Sequence, residues 1–387
     1  MGRPPHVCIV NCQHPPDDVR VTHKVGMAMR EAGFRVTWVG PERPRTGPDY
    51  GIDFRYYFVS KRRIGRFFRH NLAARAAAAV DGVDVYYGVE PDSASVAVKL
   101  AREKGAKAIF DIHEIYHDEM LGRWAKGFVR KLLSALVRHG MIRICTRSDL
   151  VVAVSDAVMA PYAHVKSPRL IVRNCAPVSF AEGEPAQVCA PGREHFTLMH
   201  GKSTLAHGTL AVIKALGLAG KQVSGLKVIC FEAFGGHPES FDRKTFEATV
   251  AQAQLGQAMD LRPLVPMAEM RGILRSCDAG VVAYDRTWGV RSLPNKLFEY
   301  MAVGLPVIAP VYADEIRKIV EAEHCGLLVD CEKPEELAKA IVYLHQHPQE
   351  AIEMGRRGRE AFLARHNWSS EVTPMLDQIR RWSQGQA

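Results

Sequence analysis

One stretch, Arg291 to Pro310 (RSLPNKLFEYMAVGLPVIAP), restricts the fold more than any other part of the chain. Pro294 has a fixed φ that suits a first helical turn, where its missing N–H costs nothing. Leu297, Phe298 and Met301 follow at helical spacing, Gly304 supplies a stop, and Leu305 to Ala309 is short, apolar and rich in β-formers. A loop, a helix and a buried strand in so short a run predict one αβ unit of a parallel sheet. A polar helix start aimed out of such a sheet suits a phosphate or a nucleotide. Lys296 can neutralise a phosphate there, and Glu299 can accept a pair of hydroxyl hydrogen bonds. Periodicity alone leaves equal room for a plain αβ connection with a solvated Lys and Glu.

The same grammar recurs on both sides. Val7 to Val10 reads as a buried strand, Asn11 to Arg20 as a loop, Val21 to Ala32 as a helix closed by Gly33, and Val36 to Val39 as the next strand. Val83 to Gly88 leads through Glu90-Pro91-Asp92 into a helix from Ser93 to Glu103. Ala108 to Ile112 is a further strand, with Asp111-Ile112-His113-Glu114 at its exit, and Val151 to Val154 closes the series. Loops at the carboxyl edge of such a sheet are where ligands bind. A histidine among carboxylates there can hold a sugar hydroxyl or position an acceptor, or it can be a structural Asp–His pair. Beyond a Pro- and Ala-rich stretch ending at Pro191, the best linker candidate, Phe196 to Met199 starts a second sheet. It continues through Lys227 to Phe231, Leu264-Val265, Ala279 to Tyr284 and Cys325 to Asp330. At 387 residues the chain exceeds one ordinary core, and the expected domains are 1–185 and 186–365, with a tail at 366–387.

Charge is unevenly spread. The whole formal net charge of +9 falls in residues 1–185, and the remainder balances to zero. Arg62, Arg63, Arg66 and Arg69 are interleaved with Phe67 and Phe68, a pattern that fits an interfacial helix as well as a core-facing amphipathic one. Arg123 to Arg138 repeats it with Trp124, Phe128, Leu132 and Leu136. An anionic membrane surface is the expected partner, because no nucleic-acid-binding motif accompanies the charge. No apolar run approaches the ~20 residues of a membrane helix, and no signal-peptide pattern opens the chain. The nine cysteines are scattered with no CxxC pair, so reduced thiols are expected and a metal site is not.

The string Leu-Pro-Asn-Lys-Leu-Phe-Glu-Tyr-Met-Ala followed by Gly-Leu-Pro-Val-Ile resembles the sugar-nucleotide motif of the family 4 glycosyltransferases. The resemblance extends in order along most of the chain. It implies a GT-B architecture: α/β, two doubly wound Rossmann-like domains facing a cleft, the first for acceptor and the second for donor. It further implies a C-terminal helix crossing back to the first domain. The family's two glutamates become Arg291 and Glu299, so Glu299 is implied on the donor ribose while Arg291 is a departure. Gly201-Lys202 and His207-Gly208 stand where the family has Gly-Arg and Lys-Gly on the donor diphosphate. Lys202 lacks a bidentate fork, and His207 makes donor binding weaker or more dependent on pH. Asn295 and Lys296 complete the implied donor contacts, with Leu264 and Val265 beside the base. Asp18 and Arg20 resemble the Asp-x-Arg loop of surface-polysaccharide members. Asp111, His113 and Glu114 resemble their Asp-x-His-Glu element, in which a histidine touches the transferred sugar.

What this implies is a retaining transfer from a nucleotide sugar, UDP-linked or GDP-linked, with no cofactor and no essential metal. His113, Lys202 and Glu299 are the candidate catalytic residues. The expected acceptor is a glycan or lipid-linked glycan in lipopolysaccharide or surface-polysaccharide assembly, met on the inner face of the cytoplasmic membrane. A soluble acceptor, a nucleotide-sugar epimerase and a non-catalytic partner subunit stay open as alternatives.

Overall fold

A computed structural model of the chain describes residues 3–45, 47–59, 69–116, 127–234, 242–290 and 292–386. It divides into two compact units, Met1–Arg173 with Glu371–Ala387, and Asn174–Ser370.

The first unit holds β1 (His6–Val10), β2 (Arg35–Pro41), β3 (Asp53–Tyr57), β4 (Val85–Val89), β5 (Lys107–Ile112), β6 (Leu150–Ala153) and β7 (Arg169–Ile171). They form one sheet in the order β3-β2-β1-β4-β5-β6-β7, every pair parallel. The central strands β1, β4 and β6 are buried along their whole length, which is why they read as near-continuous apolar runs rather than alternating ones. Strand order reverses between β1 and β4, so the loops leaving them diverge to opposite faces and open a crevice at the carboxyl edge. The first connection departs from a plain helix. Val21–Gly26 winds as a π-helix and only Met27–Glu31 as an α-helix, a local widening of a kind often found at functional sites.

The second unit holds β8 (Phe196–Lys202), β9 (Leu226–Phe231), β10 (Met259–Arg262), β11 (Ala279–Val281), β12 (Val307–Pro310) and β13 (Gly326–Val329). The order is β10-β9-β8-β11-β12-β13, again parallel throughout. Its reversal lies between β8 and β11. Between β11 and β12 the helix Asn295–Val303 ends at Gly304, whose φ of 81° is the left-handed turn that only glycine adopts without strain. The next strand begins later than its apolar run, because the Leu305 N–H still closes the helix on the Tyr300 carbonyl at 3.0 Å. The strand expected at Leu264-Val265 lies earlier, at β10. Pro263 and Pro266 flank the pair and remove the N–H groups a ladder needs, leaving Leu264 59% exposed.

The division between units falls at Arg173/Asn174, not at 185/186. Cys175, Ala176, Phe180 and Ala181 are buried in the second core with Phe196 and Leu198, so the composition of this stretch misled. The Trp368 N–H likewise bonds the Ala176 carbonyl at 2.9 Å, keeping the start of the tail in the second unit. The last helix, Trp368–Ser383, thus starts in one unit and ends in the other. In the first unit Glu371 accepts the Arg173 N–H at 3.0 Å, and the Arg380 guanidinium lies 5.6 Å from the Phe34 ring centre.

Arg62, Arg63, Phe67, Phe68 and Trp124 lie outside the described residues, as do Gly235 and Gly236. Arg69 opens the helix Arg69–Ala78. The helix Gly127–Arg147 leaves Leu132 and Leu136 more than half exposed. Among the described residues no helix is long and apolar enough to cross a membrane, and no group of three or more His, Cys, Asp or Glu side chains suits a metal ion.

Candidate functional site

At the carboxyl edge of the first sheet, the loop after β1 is shaped by Asn11. Its Oδ1 accepts the backbone N–H groups of Gln13 and His14 at 2.9 and 2.8 Å. The turn sets the His14 ring between two carboxylates, Nδ1 3.1 Å from Asp18 Oδ2 and Nε2 2.9 Å from Glu90 Oε1. Burial works against a charge on this ring, but the hydrogen bonds and charges of Asp18 and Glu90 outweigh it and push the pKa up to about 10. His14 is therefore an imidazolium donating to both. Asp18 also accepts the Val21 N–H at 2.7 Å, and its carboxyl is held below the usual range despite burial. Glu90 follows β4 directly with φ 65°, a strained value for a residue with a side chain.

A second cluster adjoins it. Arg20 is buried, with Nη2 3.0 Å from Asp111 Oδ1 and Nη1 donating to the Val172 carbonyl at 3.2 Å. Asp111, 1% exposed, also accepts the Tyr87 hydroxyl at 2.5 Å and faces His113 Nε2 at 2.8 Å. Burial opposes ionisation of Asp111, yet Arg20 and then His113 overcome it and hold its carboxyl far below the usual range. The Arg20 Nε–H donates to the same His113 Nε2 at 3.1 Å, so the arginine and the carboxylate both meet this ring nitrogen. The His113 ring centre is 5.8 Å from that of His14, which joins the two clusters. Arg20 and Asp111, expected as ligand contacts, pair with each other, and both meet His113. Glu114 is exposed.

In the second unit the corresponding edge is cationic. Gly201, φ 95°, sits at a register shift in β8, and Lys202 ends the strand exposed. Gly208, φ 70°, begins the helix Thr209–Ala219. A Cβ there would lie 1.9 Å from the Ala283 carbonyl oxygen, so only glycine permits this helix start to close on the end of β11. His207 packs against the Tyr284 ring at 4.8 Å between centres, and its Nδ1 is 2.5 Å from the Thr204 hydroxyl. Burial, then Lys296 and Lys202, push its pKa down to about 3, so the ring is neutral. Lys296 turns its ammonium inward, donating to the carbonyls of His200 at 3.0 Å and Val281 at 3.3 Å. Part of the residue is accessible, but the charged end is enclosed, and burial pushes its pKa down to about 7 against the attraction of Glu299. Glu299 is half-buried one turn further along the same helix face, and Asn295 opens that helix. Arg291 lies outside the described residues.

The structure thus brings Asp18, Arg20, Asp111 and His113 together in one unit, and Lys202, His207 and Lys296 in the other. Sequence reasoning missed His14, Tyr87 and Glu90 in the first, and Thr204, His200 and Tyr284 in the second. Glu90-Pro91-Asp92 at a strand exit was the available signal for Glu90. His14 has one local partner, Asp18, 4 residues on, but the other, Glu90, lies 76 residues away.

Two family models match the chain, one described as Glycosyltransferase Family 4 over residues 19–173 and one as Glycosyl transferases group 1 over residues 203–347. No curated protein matches it by sequence. Among solved structures, sucrose-phosphate synthase from Thermosynechococcus elongatus is similar at TM-score 0.76 and 18% identity, over 99% of this chain and 100% of that one. A glycosyltransferase from Rickettsia africae ESF-5 follows at TM-score 0.73 and 14% identity, over 99% of both chains. HepE of Anabaena in complex with UDP gives 0.72 and 13%, over 98% of this chain and 100% of that one. At these identities the likeness is one of fold.

Proposed function

We propose that this chain, a glycosyltransferase with a family 4 region at 19–173 and a group 1 region at 203–347, transfers a sugar with retention from a nucleotide sugar to a hydroxyl of a glycan or lipid-linked glycan. The observation that carries this is the cationic carboxyl edge of the second sheet. Lys202, His207 and Lys296 gather there at a glycine-shaped helix start, a constellation made for a diphosphate. Glu299 would hold the ribose, with Asn295 and Lys296 in the same first turn and Leu264 and Val265 near the base. UDP sugars are favoured among donors, since HepE was solved with UDP-glucose. In the first unit His113, oriented by Asp111 and Arg20, would position the sugar or acceptor. Lys202 and Lys296 supply the countercharge for the leaving diphosphate, with His207 beside them as a neutral ring, and no role is assigned to a metal.

A thermal-shift screen of UDP-, GDP- and ADP-sugars tests the donor, because a ligand at 100 Kd stabilises by about 2.7 kcal/mol. With the donor known, Glu299→Ala and Lys296→Ala are each expected to lower kcat/KM by about 10²-fold. Unchanged turnover in both would remove the site assignment.

The acceptor reading rests on surface chemistry. On the helix Gly127–Arg147, the exposed Leu132, Leu133 and Leu136 lie among Lys131, Arg138, Arg143 and Arg147. Positive charge is crowded enough that Arg143, followed by burial and Arg102, pulls the Arg147 pKa down. Apolar side chains on one helix with cations that form no ion pair among the described residues suit an anionic membrane surface, and with it a lipid-linked acceptor at the inner face of the cytoplasmic membrane. Liposome sedimentation decides: retention on anionic but not on neutral vesicles is expected, and indifference to lipid charge would leave a soluble acceptor.

A further inference from the structure

We propose that Thr204 fixes His207 as a neutral imidazole with its proton on Nε2, a preset hydrogen-bond donor to the diphosphate; this rests on the donor-site reading above. The protons and lone pairs of one hydroxyl decide the tautomer. A threonine Oγ1 has one proton to give and two lone pairs to accept with. The backbone N–H of His207 donates to Thr204 Oγ1 at 3.2 Å and takes a lone pair. The hydroxyl proton then has the ring Nδ1, 2.5 Å away, as its one acceptor among the described residues. The reverse assignment, Nδ1–H donating to the hydroxyl, leaves the hydroxyl proton with no acceptor among the described residues. With Nδ1 accepting, the neutral ring must carry its proton on Nε2, which makes no hydrogen bond among the described residues.

The surroundings keep the ring in that form. Lys202 and His200 face it from β8, Lys296 and Glu299 come from the helix Asn295–Val303, and Tyr284 and Asp285 from the loop after β11. Two ammonium groups oppose a further positive charge, and the pKa of the His200 ring is pushed well down by burial and then by Lys296. The chemistry of the site follows. Where family resemblance places a lysine charge, this chain offers an N–H that needs no proton from solvent. That differs from the pH-dependent contact expected from the sequence. Thr204 is a positioning residue in this scheme and His207 the group that touches phosphate.

The test uses the full chain with 15N-labelled histidine near pH 7.5, the His207 signals being assigned by their loss in His207→Gln. Free and with UDP or inorganic pyrophosphate, His207 should show an unprotonated Nδ1 and a protonated Nε2, and calorimetry in buffers of different ionisation enthalpy should show no proton uptake at this ring. Thr204→Val should lose the tautomer preference and weaken UDP binding about tenfold, while Thr204→Ser restores both. UDP or pyrophosphate binding with the proton on Nδ1, or with an imidazolium, overturns this inference and leaves the donor site intact. Failure of both probes to bind the wild type overturns the donor-site reading, and with it the ligand named here.

Discussion

His14 and His207 occupy matching places, each in the loop after the central strand of its own sheet, and the two units drive them to opposite states. His14 lies between two carboxylates and is held charged up to a pKa of about 10, while His207 lies near two ammonium groups and is held neutral down to about 3. The contrast extends to their neighbours. In the first unit the buried charges at the edge are paired, Arg20 with Asp111 and His14 with Asp18 and Glu90, among the described residues. In the second, Lys296 donates to backbone carbonyls, and burial pushes its pKa down to about 7. An edge that satisfies its own charges is suited to neutral hydroxyls, met one hydrogen bond at a time. An edge of depressed cations gains most from an anion, which repays their desolvation.

The largest test of that contrast is Arg20→Met. It strands Asp111 as a buried carboxylate and should destabilise the protein by about 3–5 kcal/mol in chemical denaturation. A loss no greater than that of a surface change would mean the first edge is not internally paired.

The two histidines give an intermediate effect with opposite pH dependence. The folded His14 pKa lies above its ordinary 6.5, so its stabilisation is complete below that value and disappears as pH rises through about 10. His14→Gln should therefore cost about 2 kcal/mol near neutrality, and the gap should close toward pH 10. For His207 the folded pKa is depressed, so it is harmless above 6.5 and costs stability as pH falls toward about 3. His207→Gln should raise stability at about pH 5 and leave it unchanged at about pH 8. Parallel profiles for the two variants would dissolve the comparison. Least affected is Glu114→Ala. The side chain is exposed, so stability should stay within about 0.5 kcal/mol and any kinetic loss should fall on acceptor KM.

How much of this was legible depends on range. The αβ grammar and the glycine stop at Gly304 are local, and short stretches of sequence carry them whole; Gly208 was legible only through the resemblance, because the Ala283 carbonyl that excludes a Cβ there comes from a distant strand end. Arg20 was legible as a residue but not as a role, because its partner Asp111 is 91 residues away and only the sheet brings them together. The inward turn of Lys296 was hidden for a similar reason. A lysine at a helix start reads as solvated until the carbonyls of two strands are found beneath it. The Pro- and Ala-rich stretch was read as a linker because composition reports polarity and not packing, and Phe180 is packed.

The division of the chain also bears on how the protein is made. The first unit is discontinuous: residues up to Arg173 need Glu371–Ala387 to complete them, while Asn174–Ser370 forms a contiguous second unit. On a ribosome adding about 5–20 residues per second, the partner segment of the first unit emerges about ten to forty seconds after the rest of it. Through that interval the contact of Arg173 with Glu371 and the cover of Arg380 over Phe34 are missing. The part translated first is therefore the part completed last, and the final helix works as a late clasp on a nascent domain.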